Sequence, residues 1–380
     1  MLVSVLINNY NYGEFLKECI DSVVNQSYSN IEIVVYDDGS RDDSLTLLKE
    51  YKDKITLIAK ENYGKSPNIN QMNAIYRAFL EAKGDIILLL DSDDYFKKDK
   101  VEKVVNVFKE NPEIEIVQHL LEEVDRKGKA RNSIVPILKK VGNHKDYILT
   151  NSSLSHLFVP TSGLAFKKTF LDKALPLKED EATNLWADTR LMLLGAITTK
   201  IINLYEPLTC YRQHGNNNFG GIGDFSTHQK YLKELFEYYN KITENNNLMT
   251  IEFTEQSFLE NTIFFEMIDM NEINSFFIDE ANKAFEYWIW GAGEAGQSVY
   301  HALRNRKFSI IGFIDNDQKK QGQMIMGQKV HSPEDIVFSD NIKILVSPYH
   351  AYENITDELK KYALNEGKNF ISPYKKKILY

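Results

Sequence analysis

"LLLDSDDYF", residues 88–96, passes from pure hydrocarbon to three acids, Asp91, Asp93 and Asp94, with only Ser92 among them. Carboxylates at the end of a buried strand need a cation, a donor or a charged ligand, because bare burial is costly and like charges repel. The preceding "IILLL" (86–90) is apolar without alternation, as in a central strand covered on both faces. Two upstream strands end in the same manner. Residues 2–7 stop at Asn8-Asn9-Tyr10, and "IEIVVYDDGS" (31–40) stops at Asp37-Asp38-Gly39-Ser40. Between them, Phe15, Leu16, Cys19, Ile20, Val23 and Val24 recur at helical spacing. A helix over 42–51, a short strand over 54–60 and a helix over 70–82 complete the alternation. Strands alternating with helices predict an α/β domain with a parallel sheet.

Ligands of open parallel sheets bind beyond the carboxyl ends of the strands, where all three polar ends lie. Residues i and i+2 of an extended chain point the same way, so Asp91 and Asp93 can face one site. Mg2+ or Mn2+ takes oxygen ligands, commonly one or two carboxylates plus substrate phosphates. A metal-bound diphosphate is the expected partner of Asp91 and Asp93. Asp94 is placed instead at the N-terminus of the helix over 97–108, where negative charge is favoured. Asp37 and Asp38 suit a base imide or ribose hydroxyls. One of the two could build the turn into the next helix, with Ser40 as its cap.

The strings "VLINNYNYGEFLKECIDSVVNQSYSNIEIVVYDDGSRDDS" (5–44) and "GDIILLLDSDDYF" (84–96) together resemble the start of a family 2 glycosyltransferase with the GT-A fold. The resemblance runs over about residues 1–225. It implies that Asp37 and Asp38 hold the donor's nucleobase and ribose, with Asn9 and Tyr10 near the base. Asp91, Ser92 and Asp93 would handle ribose and metal-bound diphosphate, Asp93 as the direct ligand. "ENYGKSPNINQMN" (61–73) resembles the loop that closes over the donor, with Lys65 as a phosphate or base contact and Arg77 on the surface. "NLWADTRLMLLGAITTKIINLYEPLTCYRQHGNN" (184–217) is similar to the family's second half, in which an acid at a helix start faces the acceptor. That acid is Asp188, preceded by Ala187 where many members carry Glu. Glu179, Asp180 and Glu181 are its rivals, and pairing with Arg190 is its structural alternative. Arg212 and His214 suit diphosphate oxygens, ahead of a Gly/Asn-rich loop over 215–223. "PTSGLAFKK" (160–168), with Thr161, Ser162 and Gly163, resembles the border of the acceptor pocket.

Residues 226–284 carry helical patterning and are expected to form a connector, followed by a small Rossmann-like domain over 285–380. Gly291-x-Gly293-x-x-Gly296 follows the apolar "YWIW" (287–290), and Asp315 comes after "SIIGFI" (309–314), as a dinucleotide site requires. This region resembles domains attached to sugar O-acyltransferases and sugar methyltransferases. Nucleotide or NAD(P) binding there and a structural or partner-docking role are both open. No Tyr-x-x-x-Lys of a sugar dehydrogenase follows.

The net charge of −9 disfavours nucleic acid, whose phosphates need basic surface. Cys19 and Cys210 offer neither a disulfide framework nor zinc spacing, and residues 1–13 lack a secretory pattern. A cytoplasmic protein is expected, with peripheral attachment at the inner membrane face and partner enzymes of glycan assembly left open. The leading expectation is an inverting, metal-dependent transferase using a nucleotide-diphosphate sugar, UDP favoured over dTDP-rhamnose. Its acceptor would be a glycan or lipid-linked sugar of bacterial surface or capsular polysaccharide. Alternatives are a NAD-linked sugar-nucleotide enzyme and a non-catalytic nucleotide-binding scaffold. A nucleotidyltransferase is disfavoured because "NNYNYGEF" stands where its phosphate loop would be.

Overall fold

A computed structural model describes residues 1–136, 138–215, 217, 225–252, 254, 267–277, 285–304, 309–348 and 351–374, with the side chains of 225–229 left aside. The chain forms two compact units, Met1–Ile222 with Lys230–Glu252, and Gly223–Gln229 with Phe253–Tyr380.

The first unit opens with the expected alternation: β1 (Val3–Asn9), α1 (Gly13–Val24), β2 (Ile31–Asp38), α2 (Ser44–Glu50), β3 (Thr56–Lys60), α3 (Pro67–Glu81) and β4 (Ile86–Asp91). There follow β5 (Tyr95–Phe96), α4 (Lys100–Glu110), β6 (Ile116–Asp125), β7 (Ala130–Val135), α5 (His144–Asn151), β8 (Leu164–Lys167), α6 (Lys168–Ala174), α7 (Ala187–Thr198), β9 (Ile201–Gln213) and α8 (Phe225–Asn245). Among the described residues nine strands make one mixed sheet in the order β3-β2-β1-β4-β8-β6-β9-β5, with β7 on β6. The first four in that order are parallel, and β8 runs antiparallel to β4 and β6. This is the curled mixed sheet of a GT-A fold.

Burial explains the central strands. Val5, Ile7, Leu88 and Leu90 join Leu16, Ile20, Val101 and Val105 in one core beneath α1 and α4. The parallel register sets Asn8 beside Asp91 and Asn9 beside Asp37. Lys100 is buried at the start of α4; its Nζ donates to Ser162 O (2.7 Å) and Thr209 Oγ1 (3.0 Å) and lies 3.4 Å from the Phe96 ring centroid. Burial pushes its pKa well down. The first unit also includes α8 from Lys230 on, a helix expected in the connector. Of the other connector segment, 255–266 lies outside the described residues, as does most of the loop over 215–223.

The second unit contains α9 (Met270–Phe277), β10 (Glu286–Trp290), α10 (Glu294–Leu303), β11 (Ile310–Ile314), β12 (Met324–Ile325), β13 (Gln328–His331), β14 (Ile342–Val346), α11 (Tyr352–Lys361) and β15 (Phe370–Ile371). Its six-stranded sheet has the order β12-β13-β11-β10-β14-β15. Apart from the antiparallel β12–β13 pair, its strand pairs are parallel. Alternate side chains of β10 enter two cores: Ile289 one, Trp288 and Trp290 the other. Among the described residues no helix is long and apolar enough to cross a membrane.

Candidate active site

A cavity of 630 Å³ opens at the carboxyl ends of β1, β2 and β4, the edge singled out by the sequence. Asn9, Tyr10, Asp38, Asp91, Ser92, Asp93 and Asp188 line it. The two acids ending β2 divide their work. Asp37 is fully buried and builds the turn, accepting from Asn9 Nδ2 (2.7 Å), Ser40 N (3.0 Å) and Ser40 Oγ (2.7 Å). Asp38 faces the cavity and accepts from Asn62 Nδ2 (2.8 Å) and Tyr63 N (3.0 Å). Burial raises the Asp38 pKa against the pull of the Tyr63 N–H. Ser40 caps no helix: α2 begins after Asp43, and Ser40 Oγ accepts from Asn11 N (2.9 Å). The turn needs glycine at 39, where φ is +74° and a Cβ would lie 2.4 Å from Asn62 N.

At the end of β4, Asp91 Oδ1 accepts from Asn8 Nδ2 (2.8 Å) and Gln71 Nε2 (3.0 Å). Burial, then the charge of Asp93, pushes its pKa up to about 7. Asp93 Oδ2 lies 3.0 Å from His214 Nε2, whose ring stacks on Phe15 with centroids 5.0 Å apart. Asp94 does not cap α4, whose N-cap is Asp99; its Oδ1 accepts from Arg212 N (2.9 Å). Arg212 itself is buried and committed elsewhere. Its guanidinium donates to Asp93 O (2.8 Å), Arg126 O (2.9 Å) and Glu18 (2.5 Å), so it braces the acidic turn and does not line the cavity. Lys65 and Arg77 are exposed and outside the lining too.

Asp188 sits in the first turn of α7, where the helix N-terminus favours its charge. Its Oδ2 accepts from Thr161 N (3.0 Å) and Thr161 Oγ1 (2.8 Å), its Oδ1 from Thr189 N (2.5 Å). Burial raises its pKa, and these donors oppose the rise. Arg190 is no partner; it donates to Lys178 O (2.8 Å). The rivals are occupied or remote: Glu179 accepts from Tyr63 OH, Glu181 bridges Lys241 and Lys178, and neither these two nor Asp180 lines this cavity. Ser162 supports the floor, its Oγ accepting from Asp91 N (3.0 Å).

Gln71 and Asn8 were not among the predicted site residues. Gln71 Nε2 also reaches Thr161 Oγ1 (3.4 Å), so a hydrogen-bonded chain runs from Asp91 through Gln71 and Thr161 to Asp188. The signal was readable: Pro67, Asn70, Gln71 and Ala74 line the cavity at helical spacing on α3.

The donor set suits a hard divalent cation. Two carboxylates meet at Asp91 and Asp93; burial first, and then the charge of Asp93, raises the pKa of Asp91, and a cation would relieve both costs. The buried Asn8 Oδ1, Asn9 Oδ1 and Gln71 Oε1 nearby accept no hydrogen bond among the described residues. Among the described residues no three His, Cys, Asp or Glu side chains form a metal cage. An ion there would take its remaining ligands from phosphate and water.

In the second unit two of the three motif glycines are tightly packed, while a Cβ on Gly293 would come no nearer than 4.0 Å to its closest neighbour, Lys320 Nζ. A Cβ on Gly296 would lie 1.8 Å from Gly291 O, and one on Gly291 would lie 2.6 Å from the Pro348 ring. Asp315 accepts from Ala292 N (2.8 Å), Asp317 N (2.9 Å) and Lys320 Nζ (3.2 Å), so three donors already converge on the acid expected to grip a ribose. In the first turn of α10, burial pushes Glu294 up to about 7. A buried acid beside a glycine turn is poor company for a pyrophosphate, and these residues do not fit NAD(P).

Known proteins resemble the chain in the same places. The model of the glycosyl transferase family 2 matches residues 4–171, and one described as C2185-like, N-terminal, matches residues 286–370. An uncharacterized glycosyltransferase of Nostoc sp. is 33% identical over 234 residues, 60% of this chain and 70% of that protein. One from Rickettsia prowazekii is 32% identical over 136 residues, 36% of this chain and 41% of its own length. The solved S. aureus TarS 1–349 in complex with UDP has 17% identity and a TM-score of 0.48, covering 72% of this chain and 78% of that one. With the strand-end acids assembled and a relative matched over more than two thirds of its length, the chain belongs to the family 2 glycosyltransferases.

Proposed function

We propose that the chain is an inverting glycosyltransferase that moves a sugar from a nucleotide-diphosphate donor, UDP favoured, to a hydroxyl of a glycan or lipid-linked acceptor in bacterial surface polysaccharide assembly. The observation that carries this reading is the single cavity holding Asp91 and Asp93 at one wall and Asp188 at another, linked through Gln71 and Thr161. Asp38, beside Tyr10 and Asn9, would accept the imide N–H of uracil. A divalent cation, held by Asp93 with Asp91 beside it, would neutralise charge on the departing diphosphate.

Asp188 receives the acceptor's hydroxyl proton as that oxygen bonds to the anomeric carbon. The bond from that carbon to the phosphate oxygen breaks, and its electron pair leaves with the nucleoside diphosphate from the opposite face. His214, against Asp93, would steady the acid or a phosphate oxygen. The first unit carries this chemistry, and the second is a separate α/β module.

Asp188→Asn tests the base. Transfer should fall about 100- to 10,000-fold, while binding of UDP-sugar with MnCl2, read by thermal shift, persists. Transfer at the wild-type rate would remove Asp188 as base, whereas donor binding with no transfer even by the wild type would favour the scaffold reading.

A further inference from the structure

The acceptor end of the cavity has a chemistry of its own, and its reading rests on the glycosyl-transfer function above. Beyond Asp188 the lining changes from acids and amides to rings. Phe158, Trp186 and Tyr231 are partly exposed there, while Leu154 and Leu157 are buried. A ligand therefore meets aromatic surface, which matches the C–H face of a sugar, a large contact area carrying weakly polarised hydrogens. This wall is built without any ligand. Gln118, fully buried on β6, donates to Leu157 O (2.7 Å) and accepts from Val159 N (3.0 Å).

Charge narrows the occupant. Asp38, Asp91, Asp93 and Asp188 line the cavity, and among the described residues no lysine or arginine does; its one imidazole is His156. A cation at Asp93 would be offset by the donor's diphosphate, so the acceptor arm keeps its negative potential. A uronate or phosphate on the acceptor sugar would stand beside Asp188 with no partner, in a site where desolvation strengthens repulsion.

We propose that the acceptor unit is an uncharged sugar, stacked by its apolar face on this aromatic wall, and that acidic sugars are rejected by the summed negative charge of the lining carboxylates.

The test uses the full chain with MnCl2 and a panel of UDP-, dTDP- and GDP-hexoses, reading nucleotide release. Acceptors are matched pairs differing only in charge: p-nitrophenyl glucoside against glucuronide and galactoside against galacturonide, in both anomers. The neutral member should exceed the acidic one at least tenfold in kcat/KM. Phe158→Lys should shrink that ratio, a within-variant comparison that any loss of folded protein cancels. Equal or greater use of the acidic members overturns the inference and leaves the transferase reading standing. Failure to consume any nucleotide sugar, with acceptor or with water, overturns both.

Discussion

A carboxylate as enclosed as Asp188 works as a base only while its charge is supported. Burial raises its pKa, and the Thr161 and Thr189 donors pull it back. The ionised form is the active one, so rate should fall as pH drops through the raised pKa. Removing a donor must raise that pKa further. Thr161→Val deletes the 2.8 Å hydroxyl bond and keeps the backbone one. A hydrogen bond to a charged group contributes about 1.5–3 kcal/mol, so the acid limb of the variant's pH–rate profile should move up by about one to two pH units while its alkaline plateau stays near that of the wild type. A pH–rate profile checks this; a uniform loss at every pH would assign Thr161 to packing alone. Asp188 was named through the family resemblance, as the acid at the start of a helix, and it does stand in the first turn of α7. Thr161 was visible only as a pocket border, because its partner lies 27 residues away across two elements.

Among the elements, those whose environment is uniform were the readable ones. Strands β1, β2 and β4 are buried on both faces, so they must be apolar throughout and turn polar where the sheet ends. The long strand β9 was opaque. Its exposed middle breaks the alternation, and its pairing with β6 shifts register twice, so no single period marks it. Its far end delivers Arg212 to the acidic turn, which is why that arginine read as a ligand contact and proved to be a brace.

Helix α5 carries a titratable support of the acceptor wall. His144 is buried, stacks on Phe158 with centroids 6.2 Å apart, and has its pKa pushed down to about 4 by burial. An unfolded imidazole titrates near 6.5, so the fold's preference for neutral His144 is fully present above that pH and fades as pH falls toward 4. The stability advantage of the wild type over His144→Gln should therefore shrink by about 2 kcal/mol between pH 7.5 and pH 5. Urea unfolding at both pH values measures it. A gap that widens in acid would mean the imidazole is held protonated.

At the scale of the whole molecule, each unit owns its core, one around Val5, Leu88 and Val101, the others on the two faces of the second sheet. The renewed strand–turn–helix pattern after residue 285 marks the sheet of the second unit, but not the boundary, since that unit takes in residues from Phe253 on. What the second glycine turn does was not legible, because the same three glycines serve a nucleotide or a tight packing contact, and it is the hydrogen bonds already held by Asp315 that count against a nucleotide. Two cores predict two separable thermal transitions. Gly296→Ala places a methyl against the backbone oxygen of Gly291, a clash no rotamer relieves, and should cost the second transition on the order of 3 kcal/mol. UDP with MnCl2 at one hundred times its Kd should stabilise the first by about 2.7 kcal/mol, a rise of roughly 5–10 °C for a unit of this size. Calorimetry of the full chain reads both. The variant should leave the ligand-responsive transition in place, and NAD should move neither. A single transition displaced by substitution and ligand alike would make the two units one cooperative body, and a shift of the second by NAD would return a nucleotide to its glycine turn.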